Sequence, residues 1–182
     1  MGGYRFDAEL GRGIAMDDDF EFFNERLFYN EKTGELHWRN IEIVGCSARG
    51  KIAGTINKKG YRVLCVKKNG KLKQFKAHRV VWLLVNCEWP IDCIDHINGD
   101  KQDNRIENLR ESTISQNNQN IRSALVTNRL GVLGVSQQKS GNYRAFICVN
   151  GFKKSIGTFD TIDKASNAYM QKKRESHEFC TI

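Results

Sequence analysis

Short runs in which apolar and polar residues alternate are spread along the chain, and they predict half-buried β-strands. Residues 61–66 alternate in this way, and the Asn69-Gly70 pair after them is a strong signal for a two-residue hairpin turn. Residues 72–76 are then the predicted return strand. Aromatic runs within 27–38 flank a glycine-containing loop and predict another hairpin.

A third hairpin is predicted towards the C-terminal end of the chain. The strand-like runs there cover residues 134–136, 143–149 and 153–157. Asn150-Gly151 supplies the turn between the last two runs. Thr161 or Asp163 can then cap a helix through about residue 174. Three strands and one helix make a small α+β unit.

Two helices are predicted earlier in the chain. Acidic residues precede an apolar-periodic run at 20–27, which suits a helix N-terminus. Residues 77–85 are strongly apolar, and the helix predicted there ends at Glu88-Trp89-Pro90 because proline cannot continue it. Residues 1–16 are glycine-rich without a pattern and are expected to form a loose leader.

The residues with the most evident chemistry lie in one stretch after the second of these helices. A short strand ends in Asp95-His96, and a polar turn follows it. Next come a brief strand at 106–110 and an asparagine-rich helix, capped by Ser112 or Thr113, that is expected to run to about residue 124. The predicted order of elements is strand, loop, strand, helix, and the overall fold class is α+β.

The charge distribution indicates a polyanionic partner. The 182-residue chain has a formal net charge of +8 and a pI of about 9.2, although its first 35 residues are net acidic. Residues 49–79 hold eleven Lys or Arg and no Asp or Glu. The alternation there predicts a basic β-ribbon that could lie along phosphates. A solvated strand face is the alternative.

The cysteine pattern and the hydropathy exclude other classes of protein. None of the six cysteines forms a C-x-x-C pair, so no structural zinc is expected. No apolar run approaches the roughly 20 residues of a membrane span, so no membrane association is expected. The cysteines are expected to be reduced in a cytoplasmic protein.

Asp95-His96 and the asparagines after it have the chemistry that phosphodiester hydrolysis needs. A histidine of near-neutral pKa can take a proton from water. Carboxylate and amide oxygens are ligands for a hard divalent cation, which relieves charge on the phosphate. An asparagine side-chain carbonyl in the next turn can hold the histidine in one tautomer.

These residues resemble a known motif. Asp95-His96-Ile97-Asn98-Gly99-Asp100 and Asn104-Arg105-Ile106-Glu107-Asn108-Leu109-Arg110 look like the motif of HNH endonucleases, most of all the branch of phage and intron homing enzymes. His78-Arg79 ahead of an apolar helix is also usual in that branch. The resemblance covers roughly residues 27–122 and implies a ββα-metal finger.

The resemblance also implies roles for individual residues. His96 is the expected general base, and Asn108 the asparagine that ties the loop and orients His96. Asp95 and Asn117 are the expected metal ligands, with Asn118 as an alternative to Asn117. The implied cofactor is Mg²⁺, with Mn²⁺ also suited to such ligands.

Residues 131–175 resemble the Apetala-type, or ethylene-response-factor-like, DNA-binding domain. Gly134-Val135, Tyr143-Arg144-Ala145 and the run 156–161 carry this likeness, which implies that the sheet lies in the major groove. Together the ribbon and this domain give the following candidate DNA contacts: Lys58, Lys59, Arg62, Lys67, Lys68, Lys139, Tyr143, Arg144, Lys153 and Lys154.

The sequence thus predicts four segments. They are a leader and helix at 1–26, a nuclease domain with a basic ribbon at 27–122, a linker at 123–130, and an Apetala-type domain at 131–182. The expected function is metal-dependent cleavage of double-stranded DNA by a monomer, in the bacterial host cytoplasm if a phage encodes it. The alternatives are a non-catalytic DNA-binding protein that uses the finger as a scaffold and a basic RNA-binding protein.

Overall fold

The protein is described by a computed structural model that covers residues 4–7, 12–15, 18–39 and 49–182. Helices and small antiparallel sheets are mixed along the chain, which confirms the predicted α+β class. The chain divides into two compact units, one of residues 1–96 and 100–111 and the other of residues 97–99 and 112–182. In the part of the chain that the structure describes, no helix has the length and apolar content needed to cross a bilayer.

Among the residues that the structure describes, the first unit contains four small sheets and two α-helices. Its elements are β1 (Tyr4–Asp7), β2 (Arg12–Ala15), α1 (Asp18–Arg26), β3 (Leu27–Asn30), β4 (Glu35–Trp38), β5 (Thr55–Ile56), β6 (Arg62–Lys68), β7 (Lys71–Lys76) and α2 (Ala77–Asn86). Strands β1 and β2 pair with each other, as do β3 and β4, while β6 lies between β5 and β7. The paired strands within 4–15 differ from the patternless leader that was expected.

A strand pair follows α2. Strand β8 (Cys93–His96) pairs with β9 (Leu109–Ser112), and a short 3-10 helix (Ile106–Asn108) precedes β9. Helix α2 ends at Asn86, and the Cys87 residue that caps it has a left-handed φ of 61°, so the helix stops before the predicted Glu88-Trp89-Pro90 terminus. A left-handed residue satisfies the last carbonyls without proline.

The core of the first unit is built from α1, α2 and the strands that they cover. Phe23 is fully buried, and its ring makes edge contacts with Phe75 and Trp89. Leu64, Val80 and Leu83 are buried in the same cluster. Ile94 of β8, the strand that carries the candidate site, belongs to the same cluster.

The second unit holds the other two helices and one three-stranded sheet. Its elements are α3 (Ile114–Gln119), β10 (Val135–Gln137), β11 (Tyr143–Val149), β12 (Phe152–Phe159) and α4 (Ile162–Ser176). Strand β11 is central in the order β10-β11-β12, and Ala145 and Ile147 on it are buried with Ala165 and Tyr169 of α4. Helix α3 ends at Gln119 and is capped by Asn120, so it is shorter than predicted; its own asparagine-rich residues have poor helix propensity.

Both Asn-Gly turns form as predicted. Asn69 and Gly70 have φ values of 51° and 75°, and Asn150 and Gly151 have 52° and 80°. The flanking residues pair directly, Lys68 with Lys71 and Val149 with Phe152. Two consecutive positive φ angles define the type I′ turn that matches strand twist.

Candidate active site

Strand β8 brings Asp95 and His96 into the interior of the first unit. The exposed fractions are 5% for Asp95 and 4% for His96. Adjacent residues on a strand point to opposite sides, and these two contact different partners. Asp95 meets Arg110 on the paired strand, whereas His96 meets Asn104 in the following loop. The end of β8 therefore makes two separate polar contacts, one through Asp95 and one through His96.

The His96 ring is held in one orientation by Asn104. The Nε2 atom lies 3.1 Å from the Asn104 side-chain oxygen Oδ1, and Asn104 is only 2% exposed. Because a carbonyl oxygen can only accept, Nε2 is the donor and carries the hydrogen. Nδ1 then carries the lone pair that can accept a proton. This arrangement suits a general base.

Asn108 was expected both to tie the loop and to orient His96. Its side-chain Nδ2 donates to the Asp103 carbonyl at 2.8 Å, which ties the loop. The ring contact belongs to Asn104, four residues earlier. An asparagine carbonyl in the turn was predicted to hold the ring, but Asn104 was not predicted to be the residue that provides it.

The aromatic rings of His78 and Tyr61 lie near His96. The His78 ring lies 5.0 Å from the His96 ring and nearly perpendicular to it, and Tyr61 lies 5.4 Å from His78. Burial first, and then the neighbouring His96, Lys76 and Arg79, together lower the pKa of His78 to about 3. His78 is therefore neutral at physiological pH, so it adds no positive charge beside the candidate base.

Burial also lowers the pKa of His96 below its ordinary value of 6.5. The Asn104 hydrogen bond and the Asp95 and Asp100 carboxylates act in the opposite direction. A lowered pKa means that the ring stays neutral to a lower pH, because burial disfavours its charged form. Thus His96 is able to accept a proton throughout the neutral range.

Arg110 fixes the Asp95 carboxylate. Its Nε and Nη2 atoms donate to Asp95 Oδ2 at 2.9 and 2.7 Å. The Asp95 side chain is buried, so this charge-assisted pair holds it more firmly than a surface pair would. The carboxylate that was expected to bind metal is thus preorganised by a cation on the adjacent strand.

The loop that carries Asn104 is held by the first aromatic hairpin. The Tyr29 hydroxyl accepts from the Ile106 backbone N–H at 2.9 Å and donates to the Asn104 carbonyl at 3.3 Å. Gly34 lies so close that a Cβ there would be 2.5 Å from the Arg105 nitrogen. A larger residue at position 34 would displace the loop, and its φ of 75° also favours glycine.

Asn117, the other expected metal ligand, lies on α3 in the second unit. The Thr113 hydroxyl accepts from the Gln116 backbone N–H at 3.2 Å, while Gln116 Oε1 accepts from the Thr113 N–H at 2.8 Å. This reciprocal capping box fixes the start of α3. Asn117 is half-buried one residue beyond that box, and Asn118 is exposed.

Residues 75–119 match the family model described as HNH endonuclease. This range contains all the site residues described above except Tyr29, Gly34 and Tyr61. This range is called the HNH segment below, after the family that it is similar to. Over 116 residues the chain is also 30% identical to an uncharacterised HNH endonuclease of Acanthamoeba polyphaga mimivirus. This match covers 63% of this chain and 57% of that protein.

A solved structure is similar as well. It describes DNA binding and cleavage by the HNH homing endonuclease I-HmuI, and it is 28% identical with a TM-score of 0.43. The match covers 57% of this chain and 55% of that chain. The chain therefore matches only a little more than half the length of both relatives.

The ligands expected in the HNH segment are oxygen donors. Among the described residues, no three His, Cys, Asp or Glu side chains cluster closely enough to hold a metal ion. A site of one carboxylate and one amide oxygen is not of that kind, and it suits a hard cation that keeps several waters. The donors available on Asp95 and Asn117 therefore fit Mg²⁺ by their chemistry.

The expected DNA contacts of the ribbon differ in their surroundings. Lys58, Lys59 and Lys67 are exposed. Lys68 is instead ion-paired with Asp19 of α1, and its side chain is only 12% exposed. Arg62 is half-buried and donates to the Gly54 carbonyl at 3.2 Å. The exposed lysines are thus the ones able to meet a phosphate without breaking an internal contact.

Lys76 and Lys101 are two further basic residues near His78 and His96, and neither was among the predicted DNA contacts. Their Nζ atoms lie 4.8 and 4.9 Å from the centre of the Tyr61 ring. Lys101 also donates to the Lys59 carbonyl at 3.1 Å. Nothing in the local sequence separates these lysines from the others, because Tyr61 brings them together only in the fold.

The expected contacts in the C-terminal sheet lie on two faces. Arg144, Phe146 and Lys153 line a pocket of about 270 Å³ together with Ser136 and Ser155. The Lys153 Nζ lies 3.6 Å from the Phe146 ring centre.

Lys154 shares the opposite face of this sheet. It pairs with Ile147, whose side chain is buried against α4. Tyr143 packs half-buried on that same core side, while Lys139 is exposed in the turn between β10 and β11. One flat surface can therefore present Arg144 and Lys153 but not Lys154.

Replacing Asn104 by alanine is expected to lower the cleavage rate by about ten- to a hundredfold, because the ring loses its fixed tautomer. The acid limb of the pH–rate profile should also move to lower pH, since the Asn104 bond raises the pKa of His96. Asn104→Asp keeps an acceptor and adds a negative charge, so its limb should move to higher pH. Identical pH profiles for the two variants would contradict the assignment.

Proposed function

We propose that the protein is a metal-dependent endonuclease of the homing type that hydrolyses phosphodiester bonds in double-stranded DNA. The observation that carries this proposal is the buried His96 ring, held through Nε2 by Asn104 beside the Arg110-paired Asp95, within a segment that matches HNH endonucleases. The name of one similar protein refers to DNA binding and cleavage.

In this proposal His96 is the general base. Its Nδ1 accepts a proton from a water molecule, and the water oxygen attacks the phosphorus. The bond from phosphorus to the leaving sugar oxygen breaks, that oxygen takes up a proton from solvent water, and His96 returns its own proton to the solvent. Asn104 keeps Nε2 protonated throughout, so that the lone pair remains on the nitrogen that faces the reaction. His78 is neutral near neutral pH, so it places no positive charge beside His96 that would oppose proton uptake.

Asp95 and Asn117 would hold the cation, with Mg²⁺ preferred and Mn²⁺ also accepted. A bound divalent cation would stabilise the negative charge that develops on the phosphate and on the leaving oxygen. Arg110 would keep the Asp95 carboxylate in one orientation before the cation arrives. Asn108 would contribute indirectly, because its side chain holds the backbone of the loop that carries Asn104.

The basic residues would bind the DNA backbone. Lys58, Lys59 and Lys67 on the ribbon, with Lys76 and Lys101 around Tyr61, present ammonium groups on the same unit as His96. Lysines of this kind position a duplex without reading its sequence. Affinity should then fall steeply with salt as phosphate contacts are replaced by counterions.

The Apetala-type sheet would supply a second DNA contact. Arg144, Lys153 and Phe146 combine two cations with an aromatic ring on the face away from α4. An arginine can donate two parallel hydrogen bonds to a guanine edge, so this face could read sequence as well as bind phosphates. Lys139 would extend the same basic surface at the turn.

Arg144→Ala is expected to weaken DNA binding by roughly five- to a hundredfold, the loss of one good arginine contact, and to leave cleavage of saturating DNA intact. Lys154→Ala is the matched control, since Lys154 lies on the other face of the sheet and should change affinity less. Fluorescence anisotropy with a labelled target duplex measures both. Loss of turnover on saturating DNA by Arg144→Ala would count against a pure binding role.

The function is tested by incubating supercoiled DNA that carries candidate target sites with the protein in Mg²⁺, in Mn²⁺ and in EDTA. Nicked or linear DNA that requires the metal supports the proposal. A monomer with one site should give nicked product first, whereas a dimer should give linear product directly. DNA that is bound but never cut with either metal would favour the scaffold alternative, and a preference for RNA would overturn both.

A further inference from the structure

The carbonyl oxygen of Ile97, the residue after His96 in the chain, is a convergence point in the second unit. Three side chains direct a donor at it. The distances are 2.8 Å from Thr181 Oγ1, 3.1 Å from Arg122 Nη2 and 3.4 Å from Asn120 Nδ2. A single carbonyl has two lone pairs, so three donors make it one of the most restrained backbone groups in this unit.

Thr181 connects these donors to one another. Its hydroxyl also lies 2.7 Å from Asn120 Oδ1 and accepts from Arg122 Nη2. A hydroxyl has one hydrogen, which it can give either to Ile97 or to Asn120. Asn120 is 6% exposed, and removal of the hydroxyl would leave its amide oxygen without that partner. The network therefore depends on one small side chain.

The turn itself is packed against Arg122. Gly99 has a φ of 77°, and a Cβ there would lie 2.5 Å from both Cδ and Nε of Arg122. The backbone at Gly99 thus lies close against the Arg122 side chain, and its positive φ also favours glycine. Hydrogen bonds hold one end of the turn and side-chain packing holds the other.

The segment that carries Thr181 is tied down at several points. The Phe179 N–H donates to Gln119 Oε1 at 3.2 Å, and His177 Nε2 lies 2.9 Å from the Cys148 carbonyl. Lys173 is buried and donates to the Ile121 carbonyl. Thr181 is therefore presented by an anchored segment, and its contact with Ile97 does not depend on its own bond alone.

We propose that Thr181 and Arg122 are positioning residues, which clamp the turn 97–99 and so set the chain path that leaves the general base. This inference rests on the proposed nuclease function. His96 has to keep its ring on Asn104 while its own backbone continues directly into Ile97. A looser turn would let the base sample unproductive positions, which lowers the rate of the chemical step and leaves DNA affinity unchanged.

The test compares Thr181→Val with Thr181→Ser in the full-length protein. Valine keeps the shape and removes the hydroxyl, so the turnover number should fall about tenfold with an unchanged Kd for DNA. Serine keeps the hydroxyl and should restore turnover to near the parent value. Thr127→Val is the matched control, since Thr127 is exposed on an unrelated turn.

Amide hydrogen exchange of Asn98 and Gly99, measured by NMR without DNA, gives a readout independent of activity. Exchange should accelerate in Thr181→Val and not in Thr181→Ser or Thr127→Val. Unchanged exchange would overturn the clamp, and faster exchange with full turnover would overturn its positioning role. If the parent protein cuts no DNA with either metal, the proposed function fails, and the positioning role fails with it even when exchange reports an intact clamp.

Discussion

Replacement of His96 by alanine is expected to lower the rate of DNA cleavage by about a hundred- to ten-thousandfold, the usual contribution of a general base. Binding should persist, because the exposed lysines and the C-terminal sheet are untouched. Single-turnover cleavage of supercoiled DNA measures the rate, and anisotropy measures the affinity. Equal losses of rate and affinity would instead indicate that His96 is a structural residue.

His78→Phe is the matched control for this experiment. His78 is as buried as His96 and touches the same ring, but it is assigned no proton transfer. Phenylalanine keeps an aromatic ring there and should cost far less activity than His96→Ala. A loss as large as that of His96→Ala would show that the two histidines share the chemistry.

Replacement of Asp95 by asparagine is expected to lower the maximal cleavage rate by about a hundred- to a thousandfold and to raise the Mg²⁺ concentration needed for half-maximal rate. The physical reason is that a neutral amide binds a hard cation more weakly than a carboxylate, and the cation contributes several kcal/mol of charge stabilisation. A Mg²⁺ titration of the cleavage rate measures both changes.

Asp95 also pairs with Arg110, so the variant could act through that pair alone. Arg110→Met removes the pair and keeps the carboxylate, and it should lose less activity than Asp95→Asn. The thermal unfolding midpoint of each variant separates loss of fold from loss of function. If the two variants lose cleavage equally at full folding, the carboxylate is a partner of Arg110 and not a metal ligand.

Local signals in the sequence were sufficient to predict those elements whose conformation is set by residues adjacent in the chain. The Asn69-Gly70 and Asn150-Gly151 turns formed as predicted because positive φ angles are a property of those residues themselves. The end of α3 was placed too late because Arg122 and Ala124 after it are good helix formers, and neither glycine nor proline follows directly to end the helix. In the C-terminal sheet, simple alternation would have separated Lys153 from Lys154.

Contacts between distant residues could not be read from the sequence. His96 is followed by three asparagines within twelve residues, and no local rule shows that Asn104 is the one that meets the ring. Tyr29 supports the loop from 75 residues away, and Asp19 pairs with Lys68 from 49 residues away. Such pairings depend on how hairpins pack, which charge and periodicity do not specify.

The support that Tyr29 and Gly34 give to the Asn104 loop bears on how small a working nuclease can be made. The range that matches the family begins at residue 75, yet the hydroxyl that bridges Ile106 and Asn104 comes from β3. A fragment trimmed to the matching range would keep its base and lose the hairpin that shapes the loop around it. A fragment designed to keep the loop in this shape should therefore begin no later than Leu27.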